Sequence, residues 1–292
     1  MFAANNFRLD EIIKLSEEML AGDFNREEKK LLEVVYRNAL ELRTQNLPAM
    51  NMIGLSAKSH DLRQPITAVV GYSALLNSPK LSGHDDLDEA QLKRIYRLND
   101  LSRHFHWHLD NLILFSNFVV RPKSRRTHDS GMLDIRGYLL SEAENYVCRK
   151  VIRELSVPDK IPFVYANDAN TKLMIRGLFA AAMDLGEKAD LRLNAYTVMK
   201  VVRARMGCIG QAERYPDVMK MLKTKKISGD TGVDTTHTAI ATLSHVQLTS
   251  MLELGLYVAT NIAAEQGGRI KVEKDDNDLV FTLTMPTLAP VV

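Results

Sequence analysis

The chain has 292 residues, enough for two domains with separate cores, and 46% of them are hydrophobic against 25% charged, a globular balance. A formal net charge of +2 is far below the basic excess of a dedicated nucleic-acid binder. Cys148 and Cys208 supply neither a disulfide framework nor a metal-ligand spacing, which points to a reducing, cytoplasmic compartment; no apolar run approaches the ~18 residues of a membrane span, and the N-terminus lacks a signal-peptide pattern.

Residues 8–20 have amphipathic helical spacing that breaks at Ala21-Gly22-Asp23, so residues 1–24 are expected to form an N-terminal helix. Asn25, with Glu28 three residues on, has the pattern of a capping box and opens the next helix. Alternating four- and three-residue steps then run from Leu31, Val35, Asn38 and Leu42 through Leu62, Ile66, Val69, Ser73 and Leu76. That seam predicts one long helix as far as Leu76, kinked at Pro48. After the turn-rich NSPKLSGHDD, a second helix from about Leu87 to Phe118 repeats the spacing at Ile95, Leu98, Ser102, Phe105, Leu109, Leu112 and Ser116. A hairpin with one apolar stripe cannot enclose it alone. Residues 25–120 are therefore expected to be a dimerisation domain, a helical hairpin that pairs with a second copy into a four-helix bundle.

The basic stretch RPKSRRTHDSG, residues 121–131, has the proline and glycine of a linker. Residues 132–292 change character. MLDIRGYLLSEAENYVCRK reads as a short strand and a helix, IPFVYA as a strand, and DANTKLMIRGLFAAAMDLG as an apolar helix. Near the end a helix through LGLYVATNIAAEQGG leads into RIKVEK, a DDND turn and the alternating LVFTLTMP, the pattern of a β-hairpin. The fold class is α+β: a helical domain followed by helices layered on one antiparallel or mixed sheet.

SHDLRQPITAVVGY, residues 59–72, sets a histidine beside an acid and a proline inside a helical pattern. His60 lies one residue off the seam, about 100° round the helix, so its imidazole is expected at the flank of the bundle, within reach of solvent or a docking protein. Arg63 and Gln64, three and four residues on, share its face and put a guanidinium and an amide where a phosphoryl group can be held. Asp61 can take the proton side of the ring and leave the other nitrogen with a lone pair for attack. Pro65 gives no N–H to the carbonyl of Asp61, which predicts a bend just past the histidine. In RHFHWHLD, His104 and His108 are four apart and share a helical face, but no third metal ligand is evident. They are expected on a polar flank of the bundle, with Trp107 filling between helices or facing a partner.

The stretch S-H-D-L-R-Q-P-I-T-A-V-V-G-Y resembles the phosphoacceptor box of two-component sensor histidine kinases, S-H-E/D-L-R-x-P-L followed by an apolar run and G-Y. The resemblance implies that His60 is the phosphorylated residue and Asp61 its general base, and that Gln64 stands where family members orient a hydrolytic water. The second half resembles the ATP-binding domain of the same kinases, an α/β sandwich, through LGLYVATNIAAEQGGRIKVEK. Against that pattern the nucleotide chemistry is missing. Where the family has N-L-x-x-N-A, Gly177 and Ala181 replace both asparagines. Ala204 or Arg205 stands at the aspartate of D-x-G-x-G, and Glu253 replaces the first glycine of G-x-G, leaving Gly255. Asp168, Asn170, Asp184 and Asn194 are the candidates for a rearranged site.

An intact acceptor histidine beside an eroded nucleotide site implies a histidine phosphotransferase, exchanging phosphoryl groups with response-regulator receiver domains. His60 is the nucleophile, Asp61 its orienting base and Arg63 an electrostatic partner of the phosphoryl oxygens. The protein itself is expected to hold no cofactor or metal, and Mg²⁺ to come with the receiver. The alternatives are a sensor kinase with an unusual ATP site, a receiver phosphatase using Gln64, and a pseudokinase that only docks a receiver or a kinase.

Overall fold

The structure, a computed structural model, describes residues 2–47, 50–78, 87–120, 130–185, 190–224 and 251–287. The described residues fall into two compact units, residues 2–120 and residues 130–287.

Helix α1 (Phe2–Ala21) ends where the Gly22 N–H donates to the Met19 carbonyl at 3.1 Å. Helix α2 (Arg26–Thr44) opens on the expected capping box: Asn25 Oδ1 accepts the N–H groups of Glu27 and Glu28, and Glu28 Oε2 accepts that of Asn25, all at 2.9 Å. The long helix predicted to reach Leu76 does not form. Asn46, just past the end of α2, takes a left-handed φ of 49°, and its N–H bonds to the Arg43 carbonyl, a C-terminal cap that turns the chain. The Asn51 side chain then accepts the Gly54 N–H at 2.8 Å and starts α3 (Met52–Ala57), followed by α4 (Ser59–Leu76). Pro48 and its expected kink lie outside the described residues.

Helix α2 folds back along α4 instead of extending into it. The seam is unbroken in sequence because both segments turn apolar positions to one core. Leu32, Val35, Ala39 and Leu42 of α2 are buried, as are Leu62, Ile66, Val69 and Leu76 of α4.

Polar contacts fix the direction of each helix. Gln91, at the start of α5 (Glu89–Val120), bonds to the Asp23 carbonyl at 2.5 Å, while Arg97 reaches Glu11, so α5 runs antiparallel to α1. Ser56 bonds to Asn117 at 2.6 Å and Arg63 lies 3.7 Å from Asp110, so α5 also opposes α3 and α4. The result is an up-down-up-down four-helix bundle made by one chain, with α1 packed on both α2 and α5. This corrects the reason given for a homodimer. The α1–α2 hairpin covers the face of the α4–α5 hairpin that was expected to need a second copy. The NSPKLSGHDD turn lies mostly outside the described residues, and of the linker only Ser130 and Gly131 are described.

In the second unit, β1 (Ser130–Leu133) leads to α6 (Ile135–Ala143) and the short α7 (Tyr146–Arg149). Strands β2 (Ile152–Ser156) and β3 (Val164–Asn167) precede α8 (Asp168–Met183), and β4 (Leu191–Val198) and β5 (Val201–Cys208) precede α9 (Tyr215–Thr224). Helix α10 (Met251–Glu265) and the hairpin of β6 (Arg269–Asp275) and β7 (Asp278–Pro286) complete the unit. Strands β1 and β3 pair with each other, and the main sheet has the order β2-β4-β5-β7-β6, parallel only between β2 and β4. It is the mixed sheet of an α+β fold, as expected. Period-two alternation buries Leu191, Leu193 and Ala195 of β4, Val202, Ala204 and Met206 of β5, and Leu279, Phe281, Leu283 and Met285 of β7 on one face. No helix among the described residues is long and apolar enough to cross a membrane.

Candidate functional site

His60 stands in the first turn of α4, and its side chain is 93% exposed. The helix is interrupted at Lys58, between α3 and α4, and not past the histidine as Pro65 alone predicted. Pro65 sits inside α4 and is buried. The interruption places His60 in the first turn of α4, close behind α3. Asp61 Oδ1 lies 3.8 Å from His60 Nδ1, ion-pair range rather than a hydrogen bond. With the ring proton assigned to Nδ1, facing that carboxylate, Nε2 keeps its lone pair and faces solvent.

Leu62 and Ile66 hold this segment down by burying the opposite side of α4. Arg63 and Gln64 are exposed on the His60 side, as their spacing predicts. The Arg63 guanidinium lies 3.7 Å from Asp110 on α5, so it is steered by a carboxylate that the sequence reading did not single out, although it closes the RHFHWHLD stretch. That stretch divides differently from expectation. His104 sits 3.8 Å from Asp100, but His108 is only 8% exposed and belongs to the core, where burial first and Arg8 second push its pKa down to about 3. Trp107 is also buried, which settles it as a filler between helices.

Among the described residues, positions that the resemblance assigns to nucleotide are taken up by helix packing. Helices α8 and α10 cross with their backbones in contact: a Cβ on Gly177 would lie 2.8 Å from the Gly255 carbonyl oxygen, and one on Gly255 would run into the Gly177 carbonyl. Ala181 and Ala259 flank the crossing and are fully buried. The two positions where the family carries amide side chains are thus the floor of a helix–helix contact. Ala204 and Arg205 do not follow a strand, as the motif alignment expected, but lie inside β5. Ala204 is buried opposite Leu283, and Arg205 donates to Asp275 at 2.7 Å. Glu253 is in the first turn of α10, and the Leu252 N–H there donates to Asp184 Oδ2 at 2.8 Å. The positive end of α10 already holds a carboxylate of this chain.

The four substitute candidates do not converge. Asp168 accepts the Tyr138 hydroxyl, which raises the Tyr138 pKa to about 12. Asn170 donates its N–H to Asn167 at the start of α8. Asp184 caps α10 from the far end of α8, whose 16 residues span about 24 Å. Asn194 lies within β4 opposite Arg205. Both cysteine thiols are buried, which pushes their pKa values up and leaves them unreactive.

No protein-family model matches the chain, and no curated protein matches it. Solved structures do. Full-length ShkA in complex with AMPPNP is 15% identical, with a TM-score of 0.46 over 83% of this chain and 48% of that one, so this chain spans about half the length of ShkA. The histidine kinase AdeS of Acinetobacter baumannii is 16% identical, with a TM-score of 0.38 over 79% of this chain and 98% of that one. The histidine kinase domain of the E. coli osmosensor EnvZ is 14% identical, with a TM-score of 0.38 over 59% of this chain and 96% of that one.

Proposed function

We propose that the chain is a histidine phosphotransferase that exchanges phosphoryl groups with response-regulator receiver domains through His60. The observation that carries this reading is the imidazole at the start of α4, its side chain 93% exposed, with Asp61 beside Nδ1. In the forward step the Nε2 lone pair attacks the phosphorus of a receiver's aspartyl phosphate. An N–P bond forms, the P–O bond to the aspartate breaks, and the aspartate leaves as a carboxylate. Asp61 stabilises the positive ring that results. Arg63, steered by Asp110, adds a cation one turn on. Mg²⁺ bound by the receiver neutralises the rest of the developing charge. Run backwards on a second receiver, the same step completes a relay.

Support for transfer over ATP-dependent autophosphorylation comes from the Gly177–Gly255 crossing and from Asp184 at the start of α10. Gln64, exposed one turn beyond His60, favours a second reading, hydrolysis of the receiver's phosphate by a positioned water. The test is to mix the protein with a phosphorylated receiver and follow acid-labile, base-stable phosphate. Transfer onto the wild-type chain and none onto His60→Ala is the expected result. Gln64→Ala slows receiver dephosphorylation only if water is being positioned, since attack by imidazole needs none. Labelling of His60 by ATP and Mg²⁺ alone would overturn the reading in favour of a kinase, and phosphoryl exchange undiminished in His60→Ala would reduce the chain to a docking protein.

A further inference from the structure

The face of the main sheet opposite the buried one carries an ordered set of cations around two threonines. Strand register puts Tyr196, Arg203, Thr284 and Arg269 in one row across β4, β5, β7 and β6. The adjacent row is Asn194, Arg205, Thr282 and Lys271. Neither row contains an acid. The acids of this face lie nearer the β6–β7 turn, where Asp275 takes Arg205 at 2.7 Å and Glu273 takes Lys271 at 2.6 Å. Among the described residues no acid pairs with Arg203 or Arg269, which stand on either side of Thr284.

Two polar atoms here are buried without a partner. Thr282 is only 7% exposed, and its Oγ1 makes no hydrogen bond; Arg203 Nε, on the neighbouring strand one row away, is buried and makes none either. Buried donors are normally satisfied, and leaving them unmatched costs stability. Arg203 Nε–H can only donate and the Thr282 hydroxyl can donate or accept, so beside the cations of these rows an anionic oxygen satisfies both. Neighbouring strands are about 4.8 Å apart, which sets Arg203 and Arg269 roughly 10 Å apart across β7, a span their long side chains close over a single oxyanion.

We infer that this sheet face is a phosphate-binding site, with Arg203 and Arg269 as the charged arms, the Thr282 and Thr284 hydroxyls as the floor, and Tyr196 as a flanking ring. The phosphate group is free or carried by a nucleotide. The site shares no residue with the His60 cluster or with the α8–α10 crossing, and its existence does not depend on the relay.

The experiment is a calorimetric and thermal-shift titration of the full chain with inorganic phosphate, AMP and GMP. Binding is expected to weaken at least tenfold in Arg203→Gln and in Arg269→Gln and to be unchanged in His60→Ala. Thr282→Val keeps the shape of the strand and removes the orphan hydroxyl, so it is expected to raise the melting temperature of the free protein while losing ligand-induced stabilisation. A purely structural threonine would give the first effect without the second. Equal affinity for phosphate and nucleotide identifies free phosphate as the ligand, whereas tighter nucleotide binding that Tyr196→Leu removes places a base on that ring. No binding at millimolar ligand, or binding that the Arg203, Arg269 and Thr282 variants leave intact, overturns the inference.

Discussion

The first turn of α4 and the middle of α8 hold the two stretches singled out by sequence resemblance, and the chain packs them in opposite ways. At His60 a reactive side chain rides on a helix whose far side is anchored by Leu62 and Ile66, and the reactive edge is left open. At Gly177 and Ala181 the chemistry-bearing side chains are absent, and the backbone is drawn against α10 until no Cβ fits. An amide side chain at Gly177 would prevent this approach, because even a Cβ there meets the Gly255 carbonyl oxygen at 2.8 Å. The variants below push on one side or the other of that contrast.

The largest effect belongs to the closed region. Gly255→Leu drives a side chain into the Gly177 carbonyl and the α8 backbone, which have no flexible end to move aside. A loss of about 3 kcal/mol of stability is expected for the second unit, seen as an early chemical-denaturation transition. Restoring the family's amides with Gly177→Asn and Ala181→Asn is expected to destabilise as well and to confer no ATP binding by calorimetry. A stable double variant that bound ATP would show the crossing to be a closed lid and not a core.

On the open side, Asp61→Asn keeps the size of the residue and removes the charge that faces Nδ1. Phosphoryl transfer from a receiver is expected to slow by ~10²-fold with the dimensions and stability of the protein unchanged. Quench-flow with labelled receiver measures it. Equal rates would mean that Asp61 neither orients the ring nor stabilises its cation.

How much of this was legible in the sequence depended on how far apart the interacting residues lie. His60, its exposure and the company of Asp61, Arg63 and Gln64 are local facts of one helix and follow from spacing alone. The capping box at Asn25 and the terminal β-hairpin are equally local. The reversal after α2 was missed because a four-and-three apolar rhythm fits one long helix and two antiparallel ones equally well; the deciding signals, Asn46 and Asn51, are polar residues between the stripes. The Gly177–Gly255 contact joins residues 78 apart, and a glycine at a lost motif position reads as erosion until its partner helix is seen. Asp110 and Arg63 meet only across two helices. The phosphate-binding rows of the sheet depend on register, which no single strand reveals.

His108 brings the comparison inside one helix, since His104, four residues earlier, stands at the surface beside Asp100 while His108 is core. A buried imidazole held neutral, with a pKa near 3, binds fewer protons than the unfolded chain with its value of 6.5. Stability from this group is therefore full above pH 6.5 and is lost as the pH falls towards 3. By pH 5 the loss is expected to be about 2 kcal/mol, measured as a shift of the urea midpoint of the first unit. His108→Leu should flatten that slope whatever it does to absolute stability. A slope unchanged in the variant would assign the acid sensitivity to other groups.

The smallest effect tests the plug at the start of α10. Asp184 accepts the Leu252 N–H and places a negative charge at the positive end of the helix. Asp184→Ala removes both, a cap loss of about 1 kcal/mol that lowers the melting temperature of the second unit by a few degrees. Because Gly177 and Gly255 still hold α8 against α10, uncapping the helix is expected to open no room for a triphosphate, and calorimetry with an ATP analogue and Mg²⁺ should register no heat. Asp184→Asn keeps the acceptor oxygen and discards the charge, so it should recover most of the stability if the hydrogen bond dominates and little if the helix dipole does. Nucleotide binding in Asp184→Ala would mean that this one carboxylate, and not the packing of the two helices, keeps the region closed.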